Sequence, residues 1–247
     1  MSITTSEQFE KLRACGQIVA KALRAMAAAV RPGITTAELS EIGSRILEEN
    51  GARSSPPMVY AFPADVCISI NDEVVHGIPG ARVLQPGDLV KLDLTAEKDG
   101  YHTDSAVSIE VPPTNRTAHA LAHCAEKSFR QALPAARAGN RTKDIGRAIE
   151  REVRRRGFHV IPELGGHGVG HTIHESPSVP NYADPLARYV LTEGLVITIE
   201  PIIAATTRSV LLDRDGWTVR TSDGSFSAHY EHTVVITRGH PILLTAA

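Results

Sequence analysis

A chain of 247 residues, 42% apolar and 22% charged, has the composition of an ordinary globular protein and the length to bury a large core. Its net charge of −2 gives no electrostatic reason to expect nucleic acid or an anionic membrane as a partner. No apolar stretch is long enough to span a bilayer, residues 1–7 lack a signal-peptide pattern, and the widely spaced Cys15, Cys67 and Cys124 argue for a reducing cytoplasm rather than a disulfide framework.

The first element is a helix over about residues 7–29, where Ile18, Leu23 and Met26 recur at helical spacing among alanines and Pro32-Gly33 ends the run. A second helix opens at Thr35, with Glu38 placed three residues on as in a capping box, and closes at Asn50-Gly51. Residues 31–51 match residues 137–157 at a constant offset without a gap, through Arg31/Arg137, Gly33/Gly139, Thr36/Thr142, Arg45/Arg151 and Gly51/Gly157. The matching entry turn, cap and exit glycine read as an internal duplication. The expected architecture is α/β (α+β), one domain of two related halves, about residues 1–112 and 113–247, joined near Pro112-Pro113 and meeting at a site.

Strand-like sequence follows each copy, over residues 65–70, 88–94, 194–200 and 230–237. Asp99-Gly100 and Asp223-Gly224 read as hairpin turns. If Asp99-Gly100 is the loop, Asp93 faces Ala106 and Asp104 faces Thr95, so both aspartates lie on one face as diagonal neighbours. Two such carboxylates repel unless they share a cation or a proton.

Chemistry concentrates in a few further positions. Four glycines surround His167 in Gly165-Gly166-His167-Gly168-Val169-Gly170, which suggests a close backbone approach, and His174 follows shortly. Glu200 ends an apolar strand and Glu231 begins another, so each is expected to be at least partly buried and to need a cation, a donor or a proton. The bland alternatives are solvated aspartates, a turn histidine at His76 and glutamates paired with arginine.

Taken together, Val66-Cys-Ile-Ser-Ile-Asn71, Val74-Val-His-Gly-Ile-Pro79, Lys91-Leu-Asp-Leu-Thr95, Gly100-Tyr-His-Thr-Asp104, Gly166-His-Gly-Val-Gly170, Thr198-Ile-Glu-Pro201, Gly216-Trp217-Thr218 and Tyr230-Glu-His-Thr233 resemble the type I methionine aminopeptidases, in their short bacterial form. The resemblance implies the pita-bread fold, with two pseudo-symmetric halves around a dinuclear metal site. It implies that Asp93, Asp104, His167, Glu200 and Glu231 hold two divalent ions, drawn from cobalt, manganese, iron(II) or zinc. It further implies that the protein removes the initiator methionine of nascent chains when the second residue is small, by attack of a water activated between the metals. Glu200, His76 and His174 would be catalytic, the two histidines also touching substrate, and Val59, Tyr60, Phe62, Cys67, Ile173 and Trp217 would line the methionine pocket. Asn71 and Ser227 are expected to help hold a monovalent cation, and His171 is read as a non-ligand. The other expected properties are a monomer, transient ribosome contact, and no nucleic-acid or membrane partner.

Two other readings compete. An Xaa-Pro peptidase of the same fold is expected to need a large N-terminal domain, for which too few residues precede Asp93. A non-catalytic binding protein on the same fold is expected to have lost ligands, whereas this chain keeps the full set.

Overall fold

Asp99 and Gly100 adopt φ of +52° and +83°, the left-handed pair that a tight hairpin turn demands. They close the longest hairpin of the computed structural model, which describes residues 1–246. The helices are α1 (Ser6–Ala29), α2 (Thr36–Glu49), α3 (Ser55–Tyr60), α4 (Arg116–Ala132) and α5 (Thr142–Arg155). The strands begin with β1 (Arg53–Ser54), β2 (Cys67–Ile70), β3 (Glu73–Val75), β4 (Leu89–Lys98), β5 (Tyr101–Glu110), β6 (His159–Val160), β7 (Gly165–Gly168) and β8 (Glu175–Pro180). They continue with β9 (Val196–Ile199), β10 (Ile202–Ala204), β11 (Val210–Leu212), β12 (Val219–Thr221), β13 (Ser227–His229), β14 (Glu231–Val235) and β15 (Ile242–Leu243).

A nine-stranded sheet forms the centre in the order β1-β4-β5-β14-β9-β7-β8, with β2 beside β4 and β15 beside β14. Alternation along its strands sorts the side chains. Leu92 and Leu94 of β4 join Ile18, Leu23, Leu39 and Leu47 in one buried cluster under α1 and α2. Ile197 and Ile199 of β9 and Val234 of β14 join Leu121, Phe129, Ile145 and Ile149 in another, under α4 and α5. The interleaved residues Asp93, Thr95, Asp104, Glu200 and Glu231 line a cavity instead. Two small sheets, β13-β10-β6 and β11-β12-β3, complete the strand set.

The duplicated segments share local geometry. Gly33 and Gly139 have φ of +90° and +93°, and Gly51 and Gly157 have +65° and +82°, so entry and exit turns match. The backbone N–H of Thr35 donates to Glu38 Oε2 at 2.8 Å, and that of Arg141 donates to Asp144 Oδ2 at 2.9 Å. Thr35 Oγ1 also accepts from the Glu38 N–H, completing the capping box before α2.

The hairpin register is the one expected, with Asp93 opposite Ala106 and Thr95 opposite Asp104. Asp223-Gly224 departs from expectation. It is a turn but not a hairpin, because β12 before it pairs with β11 and β3 while β13 after it pairs with β10. All three cysteines are buried and free. Among the described residues no helix is long and apolar enough to cross a membrane.

β7 reaches β9 only because it is made of glycine around its histidine. A Cβ on Gly166 would stand 2.4 Å from the Thr198 carbonyl oxygen, a backbone atom that cannot swing aside. Gly166→Ala is therefore expected to cost about 1–3 kcal/mol of stability in a denaturant titration. Gly80, with open space around its Cβ direction, is the control. Gly80→Ala should stay within about 0.5 kcal/mol.

Candidate active site

Each functional side chain reaches the cavity by a local rule. Asp93 and Asp104 come from facing strands of the β4–β5 hairpin. His167 sits in β7, whose backbone it ties to β9 by donating its N–H to Thr198 Oγ1 at 3.0 Å. Glu200 follows the last residue of β9, and Glu231 opens β14. The Thr198 hydroxyl donates to Glu200 Oε1 at 2.9 Å, so one threonine holds both the His167 backbone and a carboxylate. The cavity that collects these groups has a volume of about 490 Å³.

His167 is in a defined tautomer. Its Nδ1 lies 2.9 Å from the Gly168 carbonyl oxygen, which makes Nδ1–H the donor and leaves a lone pair on Nε2. That Nε2 stands 3.4 Å from Glu200 Oε1 and 4.0 Å from Asp104 Oδ2. A lone pair and two carboxylate oxygens converging on one point repel unless a cation lies between them. Burial keeps the ring neutral, holding its pKa down at about 4.

The carboxylates show the same tension. Burial, then the neighbouring Asp104, pushes Glu200 up to about 8. Burial raises Asp93 and Glu231 well above the ordinary carboxylate range, with Asp104 and Glu200 adding to both. Burial also raises Asp104. Asp104 Oδ1 and Glu231 Oε1 are buried and have no hydrogen-bond partner among the described residues. Among those residues neither Glu200 nor Glu231 pairs with arginine or lysine; their only ion-pair neighbours are His167 and His229. Orphaned hard oxygens, a neutral imidazole and no compensating side-chain cation are what a divalent-cation site presents before its ion is added. Two groups of donor atoms lie close enough to share an ion, Asp104/His167/Glu231 and Glu200/His229/Glu231.

The remaining expected residues ring the same cavity. His76 enters from just past β3 with φ of +59°, a left-handed conformation at a non-glycine residue, as strained functional positions often have. Desolvation by the cavity walls, then His174, holds its pKa below the ordinary histidine value. His174 lies beside His167, with ring centroids 4.2 Å apart, and its Nδ1 is 2.6 Å from the Tyr60 hydroxyl. Tyr60, Phe62, Cys67, Ile173 and Trp217 all line the cavity, Phe62 and Trp217 meeting edge to face at 5.2 Å. Val59 does not line it. The short helix α3 turns Pro56 and Tyr60 to the cavity at i, i+4 spacing and leaves Val59 on the outside. His171 lies against Tyr101 instead of the cavity.

Two features escaped the sequence reading. His229 lines the cavity with a buried ring, which alternation from Glu231 could have indicated, since residues two apart in extended chain share a face. Lys91 is only 1% exposed, and its ammonium donates to the carbonyl oxygens of Asn71 at 2.7 Å and Ser227 at 3.2 Å and to Ser227 Oγ at 3.3 Å. The oxygens expected to face a monovalent cation thus face a tethered amine, whose pKa burial pulls down to about 7. Nothing local in Lys91-Leu-Asp-Leu-Thr95 signals this, because Ser227 arrives from a distant segment.

The raised carboxyls set a pH dependence for the metal-stripped protein. Glu200 titrates near 8 when folded against an ordinary value of 4.5, so its favourable contribution is complete below 4.5 and is lost as pH rises through about 8. The melting temperature of metal-free protein is expected to fall between pH 5.5 and 8.5. Added Mn(II) or Co(II) should raise it more at the upper end, because metal displaces protons from the same oxygens. Differential scanning calorimetry at both pH values, with and without metal, checks this; a metal-induced rise no greater at pH 8.5 would contradict it.

Comparison with known proteins agrees with this geometry. Residues 10–238 match metallopeptidase family M24. Methionine aminopeptidase 2 of Bacillus subtilis is 42% identical over 247 residues, covering 99% of each chain. The crystal structure of methionine aminopeptidase from Thermotoga maritima superposes with a TM-score of 0.96 at 33% identity over 100% of both chains. The prolidase of Pyrococcus furiosus shares the fold with a TM-score of 0.78 and 25% identity, but the chain covers only 65% of that protein. With a pita-bread α/β fold, and with full-length likeness to bacterial methionine aminopeptidases, this chain belongs to metallopeptidase family M24.

Proposed function

We propose that the protein is a metallo-aminopeptidase that removes the N-terminal methionine of newly made polypeptides when the second residue is small. The observation that carries the reading is the convergence of Asp93, Asp104, His167, Glu200 and Glu231 on one cavity beside His76 and His174, in a chain whose full-length relatives are methionine aminopeptidases. The prolidase reading is less favoured, because that likeness is weaker and covers a smaller part of the relative. The binding-protein reading would leave the orphaned carboxylate oxygens without a purpose.

The donor set fits two divalent ions, with manganese, iron(II), cobalt and zinc all compatible. Asp93, Asp104, His167, Glu200 and Glu231 would hold them. Bound there, the ions would acidify a water and polarise the substrate carbonyl. Lys91 already meets the oxygens of Asn71 and Ser227, so a tethered amine stands where a monovalent cation was expected.

The chain's own groups supply the rest. Glu200 accepts the proton of the attacking water. The Tyr60 hydroxyl and His174 Nδ1 share a hydrogen bond, and with Tyr60 as its donor His174 Nε2–H is free to meet the oxyanion that forms on the carbonyl. His76 hydrogen-bonds the scissile nitrogen and helps the amine depart. Phe62, Trp217, Tyr60, Ile173 and Cys67 surround the substrate side chain, and a flexible thioether suits such an apolar, partly aromatic wall. Action as a monomer is part of the same reading. The duplicated segments support a single catalytic domain of two related halves, about residues 1–112 and 113–247. A nascent-chain substrate also implies a cytoplasmic protein with transient ribosome contact, and absence from ribosome pellets after co-sedimentation would remove that part of the proposal.

The decisive assay is release of free methionine from Met-Gly-Met-Met by metal-stripped protein with Mn(II), Fe(II) or Co(II) added back. Metal-dependent release that Asp104→Ala abolishes is the expected result. Release of a different N-terminal residue, or none with metal bound, would overturn it. His174→Ala should lower kcat by roughly 10²–10³-fold, the usual loss for one preorganised oxyanion donor.

A further inference from the structure

The hairpin formed by β11 and β12 ends in a turn that carries Trp217 to the cavity, where it meets Phe62 edge to face at 5.2 Å. Around that turn Leu211, Leu212, Arg214, Asp215 and Gly216 are exposed. Within it, Asp215 Oδ1 accepts from the N–H groups of Trp217 and Thr218, both at 2.8 Å, which fixes the turn's shape but not its place. The hairpin joins the body through β3, yet that pairing covers only Val219 with Val75 and Arg220 with Glu73, and its register shifts between the two. So short and irregular a ladder leaves the placement of the turn to side chains.

Arg220 supplies the fastening. Its Nε donates to Asp213 Oδ2 at 2.6 Å, its Nη1 to Asp72 Oδ2 at 3.0 Å and its Nη2 to Glu73 Oε1 at 2.9 Å. Asp213 opens the Trp217 turn, whereas Asp72 and Glu73 lead into β3, which ends one residue before His76. One guanidinium thus ties the turn bearing Trp217 to the segment that delivers His76. An isolated surface ion pair would add little. Here Glu73 is only 8% exposed, so its carboxylate depends on its partners, and a planar fork of donors is needed to reach three carboxylates at once.

We propose that Arg220 is a positioning residue: by fastening the Trp217 turn to β3 it seats one wall of the cavity, and so governs how tightly the substrate's methionine side chain is held rather than the chemical step. The identity of that substrate rests on the methionine-removal reading above; the seating of the turn does not.

Trp217 is the only tryptophan of the chain, so its fluorescence reports the turn directly. In the full chain loaded with Zn(II), Arg220→Gln is expected to move the emission to longer wavelength and to make it more readily quenched by acrylamide. On Met-Gly-Met-Met with Co(II) its KM should rise roughly tenfold while kcat stays within about twofold, the pattern of lost binding shared by ground and transition state. Arg82→Gln is the control. Arg82 Nη1 donates to the same Glu73 Oε1 at 2.7 Å but, among the described residues, its side chain makes no bond to the hairpin, so emission and KM should not move. Unchanged emission in folded Arg220→Gln, a fall in kcat at constant KM, or equal changes in Arg82→Gln would each overturn the proposal and leave the methionine-removal reading standing. If the emission shifts but the wild-type chain releases no methionine, that reading falls and the role in holding substrate falls with it, while the seating of the turn stands. Should Arg220→Gln fail to fold, Arg220→Lys, which keeps the charge but loses the fork, decides by the same readouts.

Discussion

Four carboxylates cannot share one cavity as anions without a compensating cation. Asp93, Asp104, Glu200 and Glu231 are held together by strand register, and no arginine or lysine among the described residues pairs with Glu200 or Glu231. The cost of that arrangement appears in every one of them, since burial raises the pKa of all four and neighbouring carboxylates raise Asp93, Glu200 and Glu231 further. The rest of the molecule can be understood as the scaffold that keeps this unfavourable cluster assembled until a cation relieves it.

The scaffold works through alternation. Each central strand sends its apolar residues to helices on one side and its chemistry to the cavity on the other. Leu92 and Leu94 therefore anchor Asp93, and Ile197 and Ile199 anchor the approach to Glu200. A register slip of one residue would turn Asp93 toward α1 and α2 or Glu231 toward α4 and α5, which makes the pairing strongly specified. The glycines around His167 serve the same end, letting β7 lie close enough to β9 for the Thr198 hydroxyl to orient both Glu200 and the His167 backbone.

Cationic and neutral groups are placed with equal care. Lys91, on the same strand and face as Asp93, turns its ammonium away from the carboxylates onto backbone and hydroxyl oxygens of Asn71 and Ser227. Histidines, not lysines, face the carboxylates. Burial keeps His167 and His229 neutral, at about 4 and 3, so both can offer lone pairs. Tyr60 holds His174 through a hydrogen bond at Nδ1, which gives His174 a different partner from that of His167 beside it.

Local rules made much of this legible in the sequence. The Asp99-Gly100 turn fixed the pairing of Asp93 with Ala106 and Asp104 with Thr95, because a two-residue loop leaves a hairpin no other register. The duplicated segments announced matching helix entries and exits, because glycine at positive φ and an acidic residue at the first helical turn are short-range requirements. Local signals failed where partners come from far along the chain. Asp223-Gly224 looked like a hairpin but joins strands of different sheets, and Val59 looked like a pocket residue until the pitch of α3 turned it outward. Likewise the Lys91–Ser227 contact, the pairing of Tyr60 with His174 and the approach of His229 to Glu200 each span a separation that no periodicity encodes. The sequence by itself determined which residues could carry the chemistry and which face of each strand they occupy. Only the packing of the two helix-covered regions against one sheet decided which of those residues meet, because long-range contact depends on how whole layers dock.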